Sequence, residues 1–461
     1  MPMNVYDLYI NEKEYADLKS EEAVRHLSEA IQINTTSYMD TSKIDYAAFD
    51  HFHAKMKEWY PCIMKYGEYR EIDYSVLIRI PGSDPSLKPA LFMAHQDVVP
   101  VVKGTEEAWL HEPFSGDVAD GYIWGRGAMD IKEMVIAELE SMEYLLEHGK
   151  QFKRTVYLAF GQDEEVIGSG AIAIAKYLKE QGIELEFVLD EGGRIGSGEA
   201  YGADIAVGSI GMYEKGYADL KLSAESFGGH SSNPFRGTSL GALSKAIAAI
   251  VDHPLDNVLP ASIKETLRIL TPYIKEGPLK EAVKDIDANE EQIIAHYLSH
   301  PDLNSQIHTT IAPTMISGGS QAGNVMPQHM EAVINFRLAP QDTDEGLLEH
   351  CRKLAGKDVQ ADFIVANEAS RESRFDTMGF QALQDVLSHY FKDIVFVPSV
   401  NTTATDARSY ECVCDCCMRF EPFLEDPEIR NKGVHGTNER VSERAYLQGI
   451  RVLIRMMDQT C

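Results

Sequence analysis

The chain has 461 residues, of which 44% are hydrophobic and 25% are charged, a composition typical of globular proteins. This length exceeds what one hydrophobic core usually serves and predicts about two domains. Acidic residues outnumber basic ones by 72 to 43, and the formal net charge of −29 argues against nucleic acid or an anionic membrane surface as a partner.

The N-terminal sequence MPMNVYDLYINEKEYADLKSEEAVRHLSEA has no basic start followed by an apolar core, so it predicts no signal peptide. No later apolar run approaches the length of a membrane span. We therefore expect a cytoplasmic protein.

The predicted elements of the first half alternate between helix and strand. A helix is predicted over 21–33, followed by the apolar strands SVLIRI and ALFMA, the amphipathic helix IKEMVIAELESMEYLLEHG, and the strands TVYLAF and EFVLD. Continuous apolar strands separated by amphipathic helices predict an α/β fold with a mostly parallel sheet flanked by helices.

The pattern changes after GSIGMYEKG. Strand YADLKLSAES, helix SLGALSKAIAAIVD, strands TTIAPTMIS and HMEAVINFRLA, helix GLLEHCRKLAG and strand QADFIVAN follow in the order of a split βαβ sandwich. A mostly helical insertion at about 254–306 interrupts it. The parallel pattern then resumes, so we predict a first domain from 1–212 and 369–461, with a second domain, 213–368, inserted into it.

Four of the seven cysteines crowd into ECVCDCCMRF, at Cys412, Cys414, Cys416 and Cys417. The cluster lacks the paired C-x-x-C blocks of a zinc ribbon. Its alternation favours a half-buried strand with small apolar fillers over a redox or metal role.

Ligand-type side chains follow the ends of several predicted apolar strands. Each is unremarkable alone, because H-x-D is also typical of a hydrogen-bonded turn and Asp130 would also serve as a helix N-cap. The carboxyl ends of parallel strands, however, form the binding crevice of an open α/β sheet, so we expect these side chains to converge. The set comprises His95, Asp97, Asp130, Glu164, Glu165, Asp190, Glu191 and, in the loop NKGVHGTNE, His435.

A set of His, Asp and Glu without Cys suits zinc or a similar divalent ion. Two ions that share a bridging carboxylate would offset the repulsion among clustered acids. The residues thus predict a metal centre at the sheet edge.

The motifs MAHQDVVPV, PFSGDVADGYIWGRGAMDIK, AFGQDEEVIGSGA and VLDEGG, in this order, resemble the zinc-dependent exopeptidases and deacylases. That family includes acetylornithine deacetylase, succinyl-diaminopimelate desuccinylase, aminoacylase and carboxypeptidase S, and the sequence is most similar to the carboxypeptidase S, or Gly-Xaa carboxypeptidase, branch. The resemblance runs from about residue 91 to the end. It implies a catalytic domain with an inserted α+β lid and dimerisation domain, two zinc ions per subunit, with cobalt or manganese as alternatives, and a homodimer.

The resemblance also implies the ligands of the first ion. His95 would bind it, with Asp97 as the supporting carboxylate, and Asp130 would bridge both ions. Asp190 would complete this shell, although Glu191 beside it leaves the register of the motif open.

The second ion would be bound by Glu165 and His435, together with the bridging Asp130. Glu164, the first acid of the double-glutamate motif, would be the general base. Asp163 before it keeps a structural interpretation, as a residue that caps or orients the turn.

The inserted domain carries three further residues that the resemblance marks. His230 of GGHSSN would help to polarise the scissile carbonyl, often across the dimer, and Asn324 and Arg337 would hold a substrate carboxylate. The same residues also fit a capping turn and an edge-strand charge. Asp406 and Arg408 match a T-D-x-R stretch near the active site of the carboxypeptidase S branch, and surface loop residues are the alternative interpretation.

The implied reaction is hydrolysis of an amide next to a free α-carboxylate. A carboxypeptidase acting on dipeptides or short peptides is the first hypothesis. An aminoacylase-type amidohydrolase that releases an acyl group from N-acyl amino acids is the second, and a non-catalytic metal-binding or peptide-binding protein on the same fold is the third.

Overall fold

The computed structural model describes residues 5–234 and 237–461. The α-helices of these residues are α1 Ser20–Gln32, α2 Tyr46–Trp59, α3 Pro61–Tyr66, α4 Lys132–Glu147, α5 Ser169–Glu180, α6 Ser239–Asp252, α7 Ala261–Leu270, α8 Pro278–Ala282, α9 Glu290–Ser299, α10 Pro301–Asn304, α11 Asp344–Ala355, α12 Met378–Tyr390, α13 Pro427–Gly433 and α14 Glu443–Thr460. No helix among the described residues combines the length and apolar character that a bilayer crossing requires.

The strands are β1 Glu68–Ile72, β2 Ser75–Ile80, β3 Ala90–His95, β4 Val118–Ala119, β5 Tyr122–Trp124, β6 Val156–Gly161, β7 Phe187–Asp190, β8 Arg194–Ser197, β9 Ala206–Glu214, β10 Tyr217–Glu225, β11 Gly229–His230, β12 Thr310–Gly318, β13 Val325–Met326, β14 His329–Arg337, β15 Gln360–Asn367, β16 Ile394–Asn401, β17 Cys417–Arg419 and β18 Arg440–Ser442.

The central sheet runs in the order β1-β2-β6-β3-β7-β17-β9-β16, with β8 beside β9. Strands β6, β3, β7 and β17 are parallel neighbours, as are β9 and β16. Helices pack against this sheet, α4 on β3, α5 on β2 and β6, and α12 on β16. The predicted α/β class, with a mostly parallel sheet flanked by helices, is confirmed.

The parallel register places the ends of three buried strands at one sheet edge. His95 at the end of β3 pairs with Gly161 at the end of β6, and β7, which ends at Asp190, is also parallel to β3. The loops that follow these strands therefore emerge side by side, which is the general location of ligand sites in open α/β sheets.

A second, antiparallel sheet has the order β12-β14-β10-β15. Helices α6 and α11 pack on it around a separate apolar core. Its edge strand β12 is exposed from Ala312 to Gly318, and the side chains of Met315 and Ile316 are 66% and 60% exposed. We call this unit the lid sheet.

The helical segment α7–α10 packs on the central sheet, chiefly through α7 against β16. Its apolar side chains share a core with residues of the central body, including Val207 of β9 and Val397 of β16.

The prediction of a strand over CVCDC is wrong, because a 3-10 helix ends at Cys412 and a strand begins only at Cys417. Cys414, Cys416 and Cys417 are buried fillers, whereas Cys412 is exposed.

Candidate metal centre and active site

His95 is the buried centre of the first group of ligand-type side chains. Its Nε2 lies 3.1 Å from Asp130 Oδ1 and 3.5 Å from Glu191 Oε1, while its Nδ1 lies 3.3 Å from Asp97 Oδ1. Burial alone would lower the pKa of His95, but its hydrogen bonds to these carboxylates outweigh burial and raise the pKa. Carboxylates on both sides thus fix the orientation of the ring.

His435 forms the second group with Asp130 and Glu165. Its Nε2 lies 2.9 Å from Asp130 Oδ2 and 3.1 Å from Glu165 Oε2. Asp130 thus presents one carboxylate oxygen to each histidine, the geometry expected of a bridging ligand. Hydrogen bonds to Asp130 and Glu165 raise the pKa of His435 to about 10.

Asp97 holds the acidic turn as well as the histidine. Its Oδ1 accepts a hydrogen bond from the Glu164 backbone N–H at 3.1 Å, and its Oδ2 accepts one from the Glu165 N–H at 3.2 Å. Asp163 anchors the other side of the turn by accepting from the Gly170 N–H at the start of α5. The two glutamates are therefore positioned through their backbone, which leaves both side chains available to the centre.

The two acids at the end of β7, Asp190 and Glu191, make contacts in different directions. Asp190 is buried, and its oxygens accept from the backbone N–H groups of Glu191 and Ala407, each at 2.8 Å. Glu191 instead extends to His95. The structure thus brings Glu191, and not the expected Asp190, to the first group, because both oxygens of Asp190 are taken by backbone amides.

Burial also raises the pKa of the acids at this edge. It is the largest cause for Glu164, whose pKa rises well above its ordinary value, and for Glu191, whose pKa rises to about 7. Glu164 Oε2 lies 4.0 Å from His95 Nε2, farther than the other carboxylates of the group. Glu164 is thus beside the ligand atoms, in an environment that favours the protonated acid.

The donor set fits divalent metal ions. Ligand atoms of His95, Asp130 and Glu165 lie within 4.8 Å of one another, as do those of His95, Glu164 and Glu191. Glu165 Oε1 is buried without a hydrogen-bond partner among the described residues, as expected of an atom that binds a cation. Imidazole and carboxylate are the ligands that zinc and manganese accept.

Sequence reasoning missed a buried ion pair behind the centre. Arg126 Nη1 donates to Glu439 Oε2, and Glu439 Oε1 accepts from the Gly127 and Met129 N–H groups, each at 2.9 Å. Arg126 Nη2 also donates to the Gly436 carbonyl at 3.0 Å. The pair thus joins the loop that carries Asp130 to the loop that carries His435. One sign of this pair is present in the sequence: each of the two Gly-containing motifs that hold Asp130 and His435 also contains a charged residue, Arg126 in the first and Glu439 in the second.

The centre opens into a cleft of about 1100 Å³. Its lining includes Asp130, Glu164, Glu165, Glu191 and His435. Apolar side chains line another part of the cleft, namely Val207, Leu303, Val400, Phe420, Phe423 and Leu424. A cleft of this size and mixed lining suits a small organic substrate.

The predicted lid residues do not line this cleft. His230 is exposed on β11, with Nδ1 2.8 Å from Ser232 Oγ, and Asn324 follows nearby, its carbonyl accepting from the Ser231 N–H. Arg337 lies at the end of β14, 4.9 Å above the ring of Tyr217.

Asp406 and Arg408 are also absent from the cleft lining. Asp406 is buried, and its Oδ2 has no hydrogen-bond partner among the described residues. Arg408 donates to the Glu368 carbonyl at 2.6 Å. Of the predicted site, the structure therefore brings together the ligand-type residues and Glu164, with Glu191 in place of Asp190.

Comparison with known proteins agrees with the metal-binding arrangement of these residues. The family model described as "Peptidase family M20/M25/M40" matches residues 91–459. The chain is 32% identical over 458 residues to "Probable carboxypeptidase S-like 2" of Dictyostelium discoideum, which covers 97% of this chain and 86% of that protein. It is 33% identical over 440 residues to "N-fatty-acyl-amino acid synthase/hydrolase PM20D1" of Mus musculus, covering 94% and 86%.

The fold also matches solved structures. The M20 family metallo-carboxypeptidase Sso-CP2 from Sulfolobus solfataricus superposes with a TM-score of 0.67 at 18% identity, covering 95% of this chain and 98% of that one. This likeness supports the fold of the chain.

Proposed function

Because the chain belongs to peptidase family M20/M25/M40 and is a hydrolase of that family, we propose that it is a two-zinc enzyme that cleaves an amide next to a free α-carboxylate. One observation carries the proposal: Asp130 reaches both histidines from opposite oxygens, with Glu164 beside them. Dipeptides or short peptides are the first substrate class.

We assign His95, Asp130 and Glu191 to one ion, and Asp130, Glu165 and His435 to the other. Glu191 takes the place expected of Asp190, whose oxygens are bonded to backbone amides. Ions at these positions would make a bound water acidic and polarise the substrate carbonyl. Zinc is the preferred assignment, with cobalt and manganese as alternatives.

Glu164 is the proposed general base and acid. Its carboxylate lies beside the ligand atoms, and Asp97 holds its backbone in place. It would take a proton from the attacking water and return it to the leaving nitrogen. Burial and neighbouring acids raise its pKa, which suits a group that must hold and then release a proton.

N-acyl amino acids are the second candidate substrate class. The apolar part of the cleft, with Phe420, Phe423 and Leu424, favours an acyl chain beside the scissile amide. A relative at 33% identity is named as an N-fatty-acyl-amino acid synthase/hydrolase. Both classes place a carboxylate next to the amide and differ only on the acyl side.

We also propose a homodimer in which the lid of one subunit completes the cleft of the other. Support comes from the exposed edge of β12, since an unpaired strand edge with apolar side chains is suited to pairing with another strand. His230, Asn324 and Arg337 lie outside their own cleft, so their proposed roles in carbonyl polarisation and carboxylate binding require a partner.

A substrate panel tests the proposed function. Gly-Leu and Cbz-Gly-Leu are compared with N-acetyl-leucine and N-oleoyl-leucine by kcat/KM, using protein loaded with zinc and protein treated with a chelator. We expect hydrolysis in the loaded protein, loss with chelation, and recovery when zinc is restored. Hydrolysis that survives complete metal removal would overturn the two-metal proposal, and the preferred acyl side decides between the two substrate classes.

A further inference from the structure

Two arginines line the cleft, and one lies beside the metal centre. Arg194 on β8 is exposed, whereas Arg430 on α13 is 29% exposed and interacts electrostatically with Asp130, Glu191 and Glu133. No other arginine or lysine lines the cleft among the described residues. Among the described residues, Arg430 is therefore the arginine of the cleft lining that lies on the helix just before the proposed ligand His435 and interacts with the charges of Asp130 and Glu191.

The guanidinium of Arg430 has unused donors. It carries five N–H groups, and its one side-chain hydrogen bond among the described residues is from Nη2 to Glu421 Oε1. Glu421 is itself buried beneath it, with a side chain 4% exposed. The ion pair holds one edge of the guanidinium fork, and Arg430 lines a cleft whose lining combines acidic with apolar residues.

Substrate chemistry restricts where a carboxylate-binding cation can lie. In both proposed substrate classes only two bonds separate the amide nitrogen from the carboxyl carbon. A cation that recognises this carboxylate in the same subunit must therefore lie next to the centre. Arg430 meets this condition, whereas Arg337 lies on the lid sheet outside the cleft.

We propose that Arg430 is a specificity residue that binds the α-carboxylate of the substrate, with Glu421 as the positioning residue that orients it. This inference rests on the proposed function. A planar guanidinium with two free parallel donors matches a carboxylate, and a partly buried site strengthens the contact. Arg430 would distinguish carboxylate substrates from their neutral amides without taking part in bond cleavage.

The test compares N-acetyl-leucine with N-acetyl-leucinamide, and Cbz-Gly-Leu with its amide, in zinc-loaded wild type and Arg430→Gln. We expect Arg430→Gln to raise KM for the carboxylate substrates about 10-fold to 100-fold, the usual effect of losing a charged hydrogen bond, with little change in kcat. The amides should be unaffected. Arg430→Lys should recover part of the loss, because it restores the charge without the planar fork.

Two control variants separate recognition from structure. Arg194→Gln removes the other arginine of the cleft and should leave the carboxylate preference intact. Glu421→Gln keeps Arg430 and should retain most of that preference. An unchanged preference in Arg430→Gln, or an equal loss in Arg194→Gln, would overturn the proposal. Equal loss in Glu421→Gln, which keeps Arg430 and an acceptor oxygen for its Nη2, would also overturn it.

Direct binding keeps this inference distinct from the proposed function. Calorimetric Kd values for N-acetyl-leucine and N-acetyl-leucinamide are measured in the same proteins, whether or not either compound is hydrolysed. Weaker carboxylate binding in Arg430→Gln supports the inference even for a protein that cleaves neither compound. Equal affinity of wild type for the acid and the amide overturns it even for an active hydrolase.

Discussion

Glu164 lies among metal-ligand atoms without being held to either histidine. Its Oε2 is 4.0 Å from His95 Nε2, and its backbone N–H is bonded to Asp97. We expect Glu164→Gln to lower kcat by about 10²-fold to 10⁴-fold, the usual contribution of general acid–base catalysis, without lowering the content of the two proposed metal ions. Turnover and metal content by mass spectrometry check this.

Glu165→Gln is the matched variant next to it. It alters a proposed ligand, so its metal content should fall together with its activity. If Glu164→Gln loses metal as readily as Glu165→Gln, Glu164 is a ligand and not the base.

Asp190 and Glu191 allow a second prediction at single-residue resolution. We expect Glu191→Gln to lower the zinc content from two ions towards one per subunit, because Glu191 faces His95. Asp190→Asn should keep both ions and lose stability, since Asp190 accepts two backbone hydrogen bonds in a buried position. Metal content and urea unfolding measure both effects, and the reverse pattern would restore Asp190 as the ligand.

Whether Asp190 or Glu191 faces His95 could not be predicted from the sequence. Residue types and their places after apolar strands were enough to gather the candidate ligands. Adjacent residues of a strand point to opposite sides, so a shift of one position exchanges Asp190 for Glu191. The outcome depends on the Ala407 N–H, a backbone group distant in sequence that no local pattern identifies.

At the scale of elements, the Arg126–Glu439 pair joins the two loops that carry the proposed ligands Asp130 and His435. We expect Glu439→Ala to destabilise the protein by about 3–5 kcal/mol, because it leaves a buried arginine unpaired. The loops of Asp130 and His435 should also separate, which weakens metal binding at the second site. Glu439→Gln should cost less, since its amide oxygen can still accept from Gly127 and Met129.

Urea unfolding with chelator gives the metal-free stability of these variants, and zinc titration gives the affinity. Glu428→Ala removes an exposed carboxylate of α13, which pairs with Lys432 alone among the described residues, and should change stability by about 1 kcal/mol or less. Wild-type zinc affinity in Glu439→Ala would contradict the role of the pair in joining the loops.

Most of the long strands and helices were predictable, because their apolar spacing is regular, but α2 and α5 were not identified. β9 was not identified, since its glycines obscure the apolar run AVGSIGMYE. Gly208 of β9 is needed for packing, because a Cβ there would lie 2.3 Å from the ring of Phe396. The packing of α7–α10 on the central sheet was also missed, as sequence order alone placed these helices in the lid.

At the scale of the molecule, the proposed dimer predicts that hydrolysis depends on assembly. We expect sedimentation to show a dimer, and the double substitution Met315→Lys and Ile316→Lys on exposed β12 to give a monomer that keeps its zinc but loses most activity. His230 lies outside its own cleft, so a monomer would lack it. A fully active monomer would contradict a role for His230 across subunits.

Lys215 lies between the two sheets, after β9 and before β10. Its Nζ donates to the Ser305 and His308 carbonyls, each at 2.7 Å, and thereby joins two connections between the central body and the lid. Burial lowers the pKa of Lys215 from 10.5 to about 8. Between these pH values the unfolded chain binds more protons than the folded one, so the contribution of Lys215 to stability rises with pH.

We therefore expect the difference in unfolding free energy between wild type and Lys215→Met to increase by ~3 kcal/mol from pH 7.5 to 10.5. Urea unfolding across this range measures it, and the subtraction removes groups that titrate alike in both proteins. Parallel curves of unfolding free energy against pH for wild type and Lys215→Met would show that burial does not lower the pKa of Lys215.

The hydrogen bonds from the Glu164 and Glu165 backbone amides to Asp97 hold the backbone of this turn without using either glutamate side chain. Every amino acid except proline carries a backbone N–H, so this anchor does not depend on which side chains occupy the two positions. The backbone of the turn is thus fixed independently of the side chains at positions 164 and 165. We therefore expect a thiol or an imidazole at position 164 to leave the backbone of this loop in place, so that the reactive group of the site can be exchanged one residue at a time.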